Sequence, residues 1–168
     1  MKHLYFIRHG ESVMNKQGTF SGRVETPLTD RGKTQALDAG STLKSIHIDC
    51  IVSSPMGRAT ATAELIATLI DYPKDKILTN DLFTERDFGP LEQTVYRPGL
   101  GDVEGVEEIT TLIERAQQGL LYLQSLPAET ILLVSHGAIG RALRHCIDPT
   151  IPFRPSAGFG NGEIVKLL

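Results

Sequence analysis

Leu4-Tyr5-Phe6-Ile7-Arg8-His9-Gly10-Glu11-Ser12 joins a short apolar run to an abrupt polar stop. Leu4 to Ile7 are apolar residues that suit a buried strand. Gly10 lets the chain turn sharply and is expected to leave open space beside His9 for a ligand to approach the backbone. His9 then stands at the C-terminal end of a strand, where open α/β sheets collect their ligands, and Arg8 beside it points to an anion. The layout recurs in Ile131-Leu132-Leu133-Val134-Ser135-His136-Gly137. Two strands that each deliver a histidine followed by glycine are harder to attribute to chance than one.

Outward from these two stretches, strands and helices alternate. Thr29 reads as an N-cap, with Ala36, Leu37, Gly40 and Leu43 forming a helical stripe in which Gly32 and Gly40 permit close packing. Ile48–Val52 reads as a strand closed by Ser53-Ser54-Pro55, and Pro55 fits the first turn of a helix carrying Arg58 and the stripe Ala59, Ala63, Ile66, Ile70. Ile77–Thr79 is a weaker strand, followed by an irregular segment that contains Glu85. A long helix is expected from Gly105, marked by Ile109, Leu112, Ile113, Ala116, Leu120 and Leu123 and stopped by Pro127. Ile139, Ala142, Leu143 and Cys146 mark a helix directly after His136, and Asn161-Gly162 turns into a final edge strand over Glu163–Leu168. Glu11–Pro27 reads as a long polar loop. The pattern defines an α/β protein with a mainly parallel sheet covered on both faces.

At 168 residues the chain fits one domain, 1–168, and its 40% hydrophobic and 22% charged composition is that of a globular protein. A net charge of -3 provides no basic footprint for nucleic acid, so any anion preference must be local. Cys50 and Cys146 match no zinc spacing and read as reduced, buried thiols. The N-terminal apolar run ends at Arg8, too short for a signal segment or a membrane span, and a cytoplasmic protein is expected.

Right-handed crossovers bring Arg8, His9, Arg58 and His136 to one sheet edge, with Glu85 within reach. Two guanidinium forks match a phosphoryl group, and their charge disfavours protonation of His9, whose neutral imidazole could then attack phosphorus. His136 would donate to the same oxygens, and Glu85 could protonate the leaving oxygen, with Glu92, Asp87 and Glu104 as alternative acids. Phosphoryl transfer asks mainly for positioning and charge neutralisation, so the cluster needs neither metal nor cofactor. Arg23 and Arg97 read as exposed surface, and His3, His47 and His145 as surface or packing residues.

Arg8-His9-Gly10-Glu11-Ser12, Asn15, Phe20-Ser21-Gly22, Pro27-Leu28-Thr29, Ser53-Ser54-Pro55 with Arg58, Glu85-Arg86-Asp87-Phe88-Gly89 and Ser135-His136-Gly137 occur in the order seen in the histidine phosphatase superfamily. The chain resembles its phosphoglycerate mutase-like branch over nearly its whole length. The resemblance implies a three-layer α/β/α sandwich, with an antiparallel edge strand, and a phosphohistidine intermediate. It makes His9 the nucleophile, Arg8, Arg58 and His136 the phosphate pocket, and Glu85 the proton donor; Asn15, Ser21 and the backbone of Gly22 would line the substrate side.

Mutases of this branch that resemble the glycolytic enzyme carry a lysine and an arginine pair after the glutamate, whereas Asp87–Glu114 here has no lysine and only Arg97. The segment is short, no tail is expected to cover the pocket, and Glu92-Gln93 stands where the family often has an acidic residue and glycine. A thinly covered phosphohistidine is open to water, so a phosphatase acting on a small phosphorylated substrate or a phosphoprotein is the preferred expectation. A mutase-type transferase and a non-catalytic phosphate-binding module are the alternatives. Pocket shape is expected to depend on Gln17–Arg23 and Leu91–Gly101.

Overall fold

The structure, a computed structural model, describes residues 1–97, 103–153 and 158–168. Five strands form one sheet: β1 (His3–Arg8), β2 (Cys50–Ser53), β3 (Leu78–Thr79), β4 (Thr130–Ser135) and β5 (Ile164–Lys166), in the order β3-β2-β4-β1-β5. All neighbours are parallel except β1 and β5, so the last strand is the antiparallel edge. Register follows the pleat. Leu4, Phe6, Val52, Ile131 and Leu133 face one layer, while Ile7, Ile51, Leu132 and Val134 face the other. Two buried faces require two helical layers, which explains the near-continuous apolar runs in the three inner strands.

The first face is covered by α4 (Ile109–Ser125) and α5 (Gly137–Ile147), the second by α2 (Asp30–Leu43) and α3 (Gly57–Leu69). Phe6 is fully buried, worth roughly 1.5–3 kcal/mol. Its ring leaves room only for glycine above it: a Cβ on Gly140 of α5 would sit 2.3 Å from Phe6 Cζ. Thr29 caps α2 by accepting the Gly32 N–H at 3.0 Å.

Several local expectations change. The long loop contains α1 (Val13–Gln17), started by a reciprocal cap in which Ser12 Oγ accepts from Asn15 N and Asn15 Oδ1 accepts from Ser12 N, and ended by Gly18 at φ 67°. Pro55 precedes α3, because Met56 is the extended N-cap and Gly57 the first helical residue. Leu37 is exposed, since the buried phase of α2 runs through Ala36, Ala39, Gly40 and Leu43. The long helix begins at Ile109; Gly105 takes φ 84°, and the Glu107 N–H donates to the Asp87 carbonyl instead of entering a helix. Gly10 is explained by packing against protein, since a Cβ there would lie 2.1 Å from the Gly32 carbonyl oxygen. Of the stretch 91–101, residues 98–101 lie outside the described residues.

Candidate active site

Strand ends β1 and β4, the first turn of α3 and the start of α5 converge on a cavity of about 590 Å³. His9 follows β1, its backbone N–H donating to the Ser135 carbonyl at 2.9 Å, and is 3% exposed. Its Nδ1 lies 2.7 Å from the Gly10 carbonyl oxygen. A carbonyl can only accept, so Nδ1 carries the proton and Nε2 presents a lone pair. Arg58 Nε donates to that Nε2 at 3.1 Å. Burial, then the charges of Arg58 and Arg8, push the ring well below its ordinary value of 6.5, and the neutral form is the one the geometry requires.

Arg58 is 1% exposed and fully engaged: Nη1 donates to the Val24 carbonyl at 2.9 Å and Nη2 to the Gly22 carbonyl at 2.7 Å. Arg8 donates through Nη1 to the Phe159 carbonyl at 2.8 Å, while its buried Nε has no hydrogen-bond partner among the described residues. His136, the N-cap of α5, is fully buried behind the cavity wall, its ring centroid 5.0 Å from that of His9. Its Nε2 meets Ser54 Oγ at 2.8 Å, and its Nδ1 has no hydrogen-bond partner among the described residues. Burial, Arg58, His9 and Arg8 hold this imidazole well below 6.5 as well. Ser21 Oγ is buried at the cavity without a hydrogen-bond partner among the described residues. Orphaned buried donors grouped around one space are the signature of a site built for an acceptor-rich ligand.

Glu85 reaches the same cavity from the irregular segment after β3. Its Oε1 accepts from the N–H groups of Arg86, Ala138 and Ile139 at 2.8, 3.1 and 3.3 Å, so it caps the first turn of α5. Among the described residues Oε2 accepts only from Ala138 N, at 3.2 Å, which leaves lone-pair capacity for a proton. Asn15 spends its Oδ1 on Ser12 N and on Asn161 Nδ2, leaving its amide NH2 for a ligand. Gly22, at φ 47°, offers its carbonyl to Arg58 and packs against Glu92, whose Oε1 accepts from Arg23 N at 2.8 Å and Phe88 N at 3.2 Å. All eight residues expected from the sequence therefore gather at this edge, seven on the cavity surface and His136 directly behind it.

The cover is a ribbon made by both loops the sequence flagged. Phe20 N donates to Thr94 O, Gln93 N to Phe20 O and Tyr96 N to Gly18 O, and the rings of Phe88 and Tyr96 each stand 4.9 Å from Phe20. Sequence reasoning missed three contributors. Arg141 sits one turn after Gly137 on α5, a spacing that signals the same helix face, and it lines the cavity with its guanidinium over Phe153 and no hydrogen bond or ion pair among the described residues. Asn161, read only as a turn residue, bridges His9 O and Asn15 Oδ1. Tyr96 lies in the stretch 91–101 expected to shape the pocket but was not singled out within it. Among the described residues, no group of three His, Cys, Asp or Glu side chains forms a metal-binding cluster, and no helix is long and apolar enough to cross a membrane.

The α/β sandwich aims a neutral histidine and two guanidinium groups into one cavity at its strand ends, a donor set that matches the oxygens of a phosphoryl group. A sequence profile of the histidine phosphatase superfamily (branch 1) matches residues 4–167, and the chain belongs to that superfamily. It is 36% identical over 143 residues to the Bacillus subtilis (strain 168) protein named "Uncharacterized phosphatase PhoE", covering 82% of this chain and 72% of that one. It is 30% identical over 197 residues to the "Probable phosphoglycerate mutase GpmB" of Salmonella choleraesuis (strain SC-B67), covering 99% and 92%. Among solved structures it is similar in fold to a mycobacterial glucosyl-3-phosphoglycerate phosphatase complexed with VO3, at a TM-score of 0.85 and 21% identity over 99% of this chain and 92% of that one.

Proposed function

We propose that the protein is a metal-independent phosphatase that hydrolyses a small phosphomonoester through a phosphohistidine. The observation that carries this reading is the state of His9: Nδ1 is fixed as donor by the Gly10 carbonyl, leaving the Nε2 lone pair as nucleophile. The Nε2 pair attacks phosphorus as the ester P–O bond breaks, and the leaving oxygen takes a proton from Glu85 Oε2. Water then attacks the phosphohistidine, gives a proton to Glu85 and releases phosphate as the P–N bond breaks and its pair returns to Nε2. Arg8 and Arg58 neutralise the equatorial oxygens, with the neutral His136, Ser21 and the amide of Asn15 as further donors.

Hydrolysis is preferred over transfer because residues 87–114 offer one basic residue, the exposed Arg97, where a mutase of this branch needs several to hold a second substrate group. The naming of the Salmonella relative keeps mutase activity as the second reading. Release of phosphate from an aryl phosphate with chelator present tests both. The native chain should turn over without a primer, and His9→Ala should lose at least about 1000-fold, as nucleophile removal does. Dependence on a bisphosphate primer would replace hydrolysis by transfer, and equal rates for the two chains would remove His9 as nucleophile.

A further inference from the structure

Residues 84 to 88 have no regular secondary structure, yet Glu85 must be held to a fraction of an ångström for proton transfer to a leaving oxygen. Two side chains from elsewhere do the holding. Arg115, on the second turn of α4, donates through Nη1 to the carbonyls of Leu82 and Thr84 at 2.9 and 2.8 Å, and through Nη2 to the Glu85 carbonyl at 3.3 Å. Its Nε and Nη2 also form a two-pronged pair with Glu107, both at 3.0 Å. Glu107 completes the frame: its N–H donates to Asp87 O at 2.8 Å, its Oε2 accepts from Asp87 N at 3.0 Å, and its carbonyl accepts from Arg86 Nε at 2.7 Å.

The pair is largely shielded from solvent, at 15% and 8% side-chain exposure. Burying an ion pair adds little net stability compared with an apolar pair of the same shape, so stability alone is a weak reason for it. Fixing the backbone on both sides of one carboxylate is a better one. Arg23 adds a link to the cover, its guanidinium 3.6 Å from Asp87 and 3.8 Å from Glu107, one residue from the Gly22 carbonyl that holds Arg58. We propose that Glu107 and Arg115 are positioning residues for Glu85, aligning its carboxyl with the leaving oxygen and tying it to the loop that holds the phosphate-binding arginine.

This inference rests on the reading of Glu85 as proton donor, and leaving-group dependence tests the two separately. A nitrophenolate departs without a proton, whereas an alkoxide needs one, so a misplaced donor harms alkyl esters selectively. With 4-nitrophenyl phosphate and glycerol phosphate as substrates, Arg115→Met should keep kcat/KM, which reports formation of the phosphohistidine and not its shared hydrolysis, within about three-fold for the aryl ester and lose about ten-fold or more for the alkyl ester. Retained aryl turnover shows that the variant is folded. Glu107→Gln should shift selectivity in the same direction and Arg115→Lys should recover part of it; both carry the comparison if the methionine variant does not fold. Parallel loss on both esters, or no loss on either, would overturn the positioning role provided Glu85→Gln is itself selective against the alkyl ester. A Glu85→Gln enzyme without that selectivity would overturn the donor assignment and the inference with it.

Discussion

Acidification from pH 7 to pH 5 should destabilise the fold through two histidines. His9 and His136 are held neutral by burial and by neighbouring guanidinium groups, so their folded values lie well below the unfolded 6.5. In the unfolded chain both rings take up a proton as pH falls through 6.5, and in the folded chain that uptake is displaced to lower pH. The unfolded state then binds more protons, so stability is complete above 6.5 and is lost below it. For a ring still neutral at pH 5, the loss between pH 7 and pH 5 is about 2 kcal/mol, and for the pair about 4 kcal/mol, a large part of a typical 5–15 kcal/mol. Asp49 and Asp148 also have depressed values, but their unfolded reference of 3.8 confines their effect to stronger acid. Urea denaturation in buffers free of phosphate and sulfate measures the effect. His9→Gln should lose about 2 kcal/mol over this interval where the native chain loses about 4 kcal/mol, and the double variant with His136→Gln should be nearly flat. Parallel native and His9→Gln profiles would show that His9 ionises freely in the fold and would refute the neutral-nucleophile geometry.

Gly10→Ala places a methyl 2.1 Å from the Gly32 carbonyl, backbone against backbone, and should cost about 2–4 kcal/mol in a urea or thermal melt; a change within about 0.5 kcal/mol would show that the two turns separate easily. Arg141→Met removes a cavity cation that has no ion pair among the described residues, so KM should rise about ten-fold for a phosphomonoester bearing a second negative group and much less for a plain aryl phosphate. An equal rise for both substrates would assign Arg141 to the phosphoryl group or to the wall.

The sheet was legible because its three inner strands are buried on both faces and their apolar runs end on polar turns. The Arg-His-Gly and Ser-His-Gly ends were legible for the same reason: a strand end fixes where the next residue stands. Gly10 was misread because a glycine's neighbour cannot be seen from sequence; Gly32 is twenty-odd residues away and arrives only when α2 packs. The start of α4 failed in a similar way. Glu107 and Glu108 suit a helix by propensity, but Glu107 is recruited to Asp87 and Arg115, and tertiary hydrogen bonds outweigh the few tenths of a kcal/mol that propensity offers. The Glu107–Arg115 frame carries no local signal at all, being formed between a loop, a helix and an irregular segment.

Arg58 shows why an arginine, and not a lysine, belongs at the head of α3. Its two Nη groups are anchored on the carbonyls of Gly22 and Val24, which fixes the plane of the guanidinium against the cover loop. Only Nε faces His9, and it donates to the Nε2 lone pair that attacks in the proposed reaction. A phosphoryl oxygen is the stronger acceptor, because a hydrogen bond between two charged groups exceeds one to a neutral imidazole. In the proposed reaction a substrate phosphoryl group would draw the Nε–H away from Nε2 and expose the nucleophile in the same step that neutralises the phosphate. An ammonium, with one nitrogen and no fixed plane, could not hold two carbonyls and still present a single directed donor at the histidine.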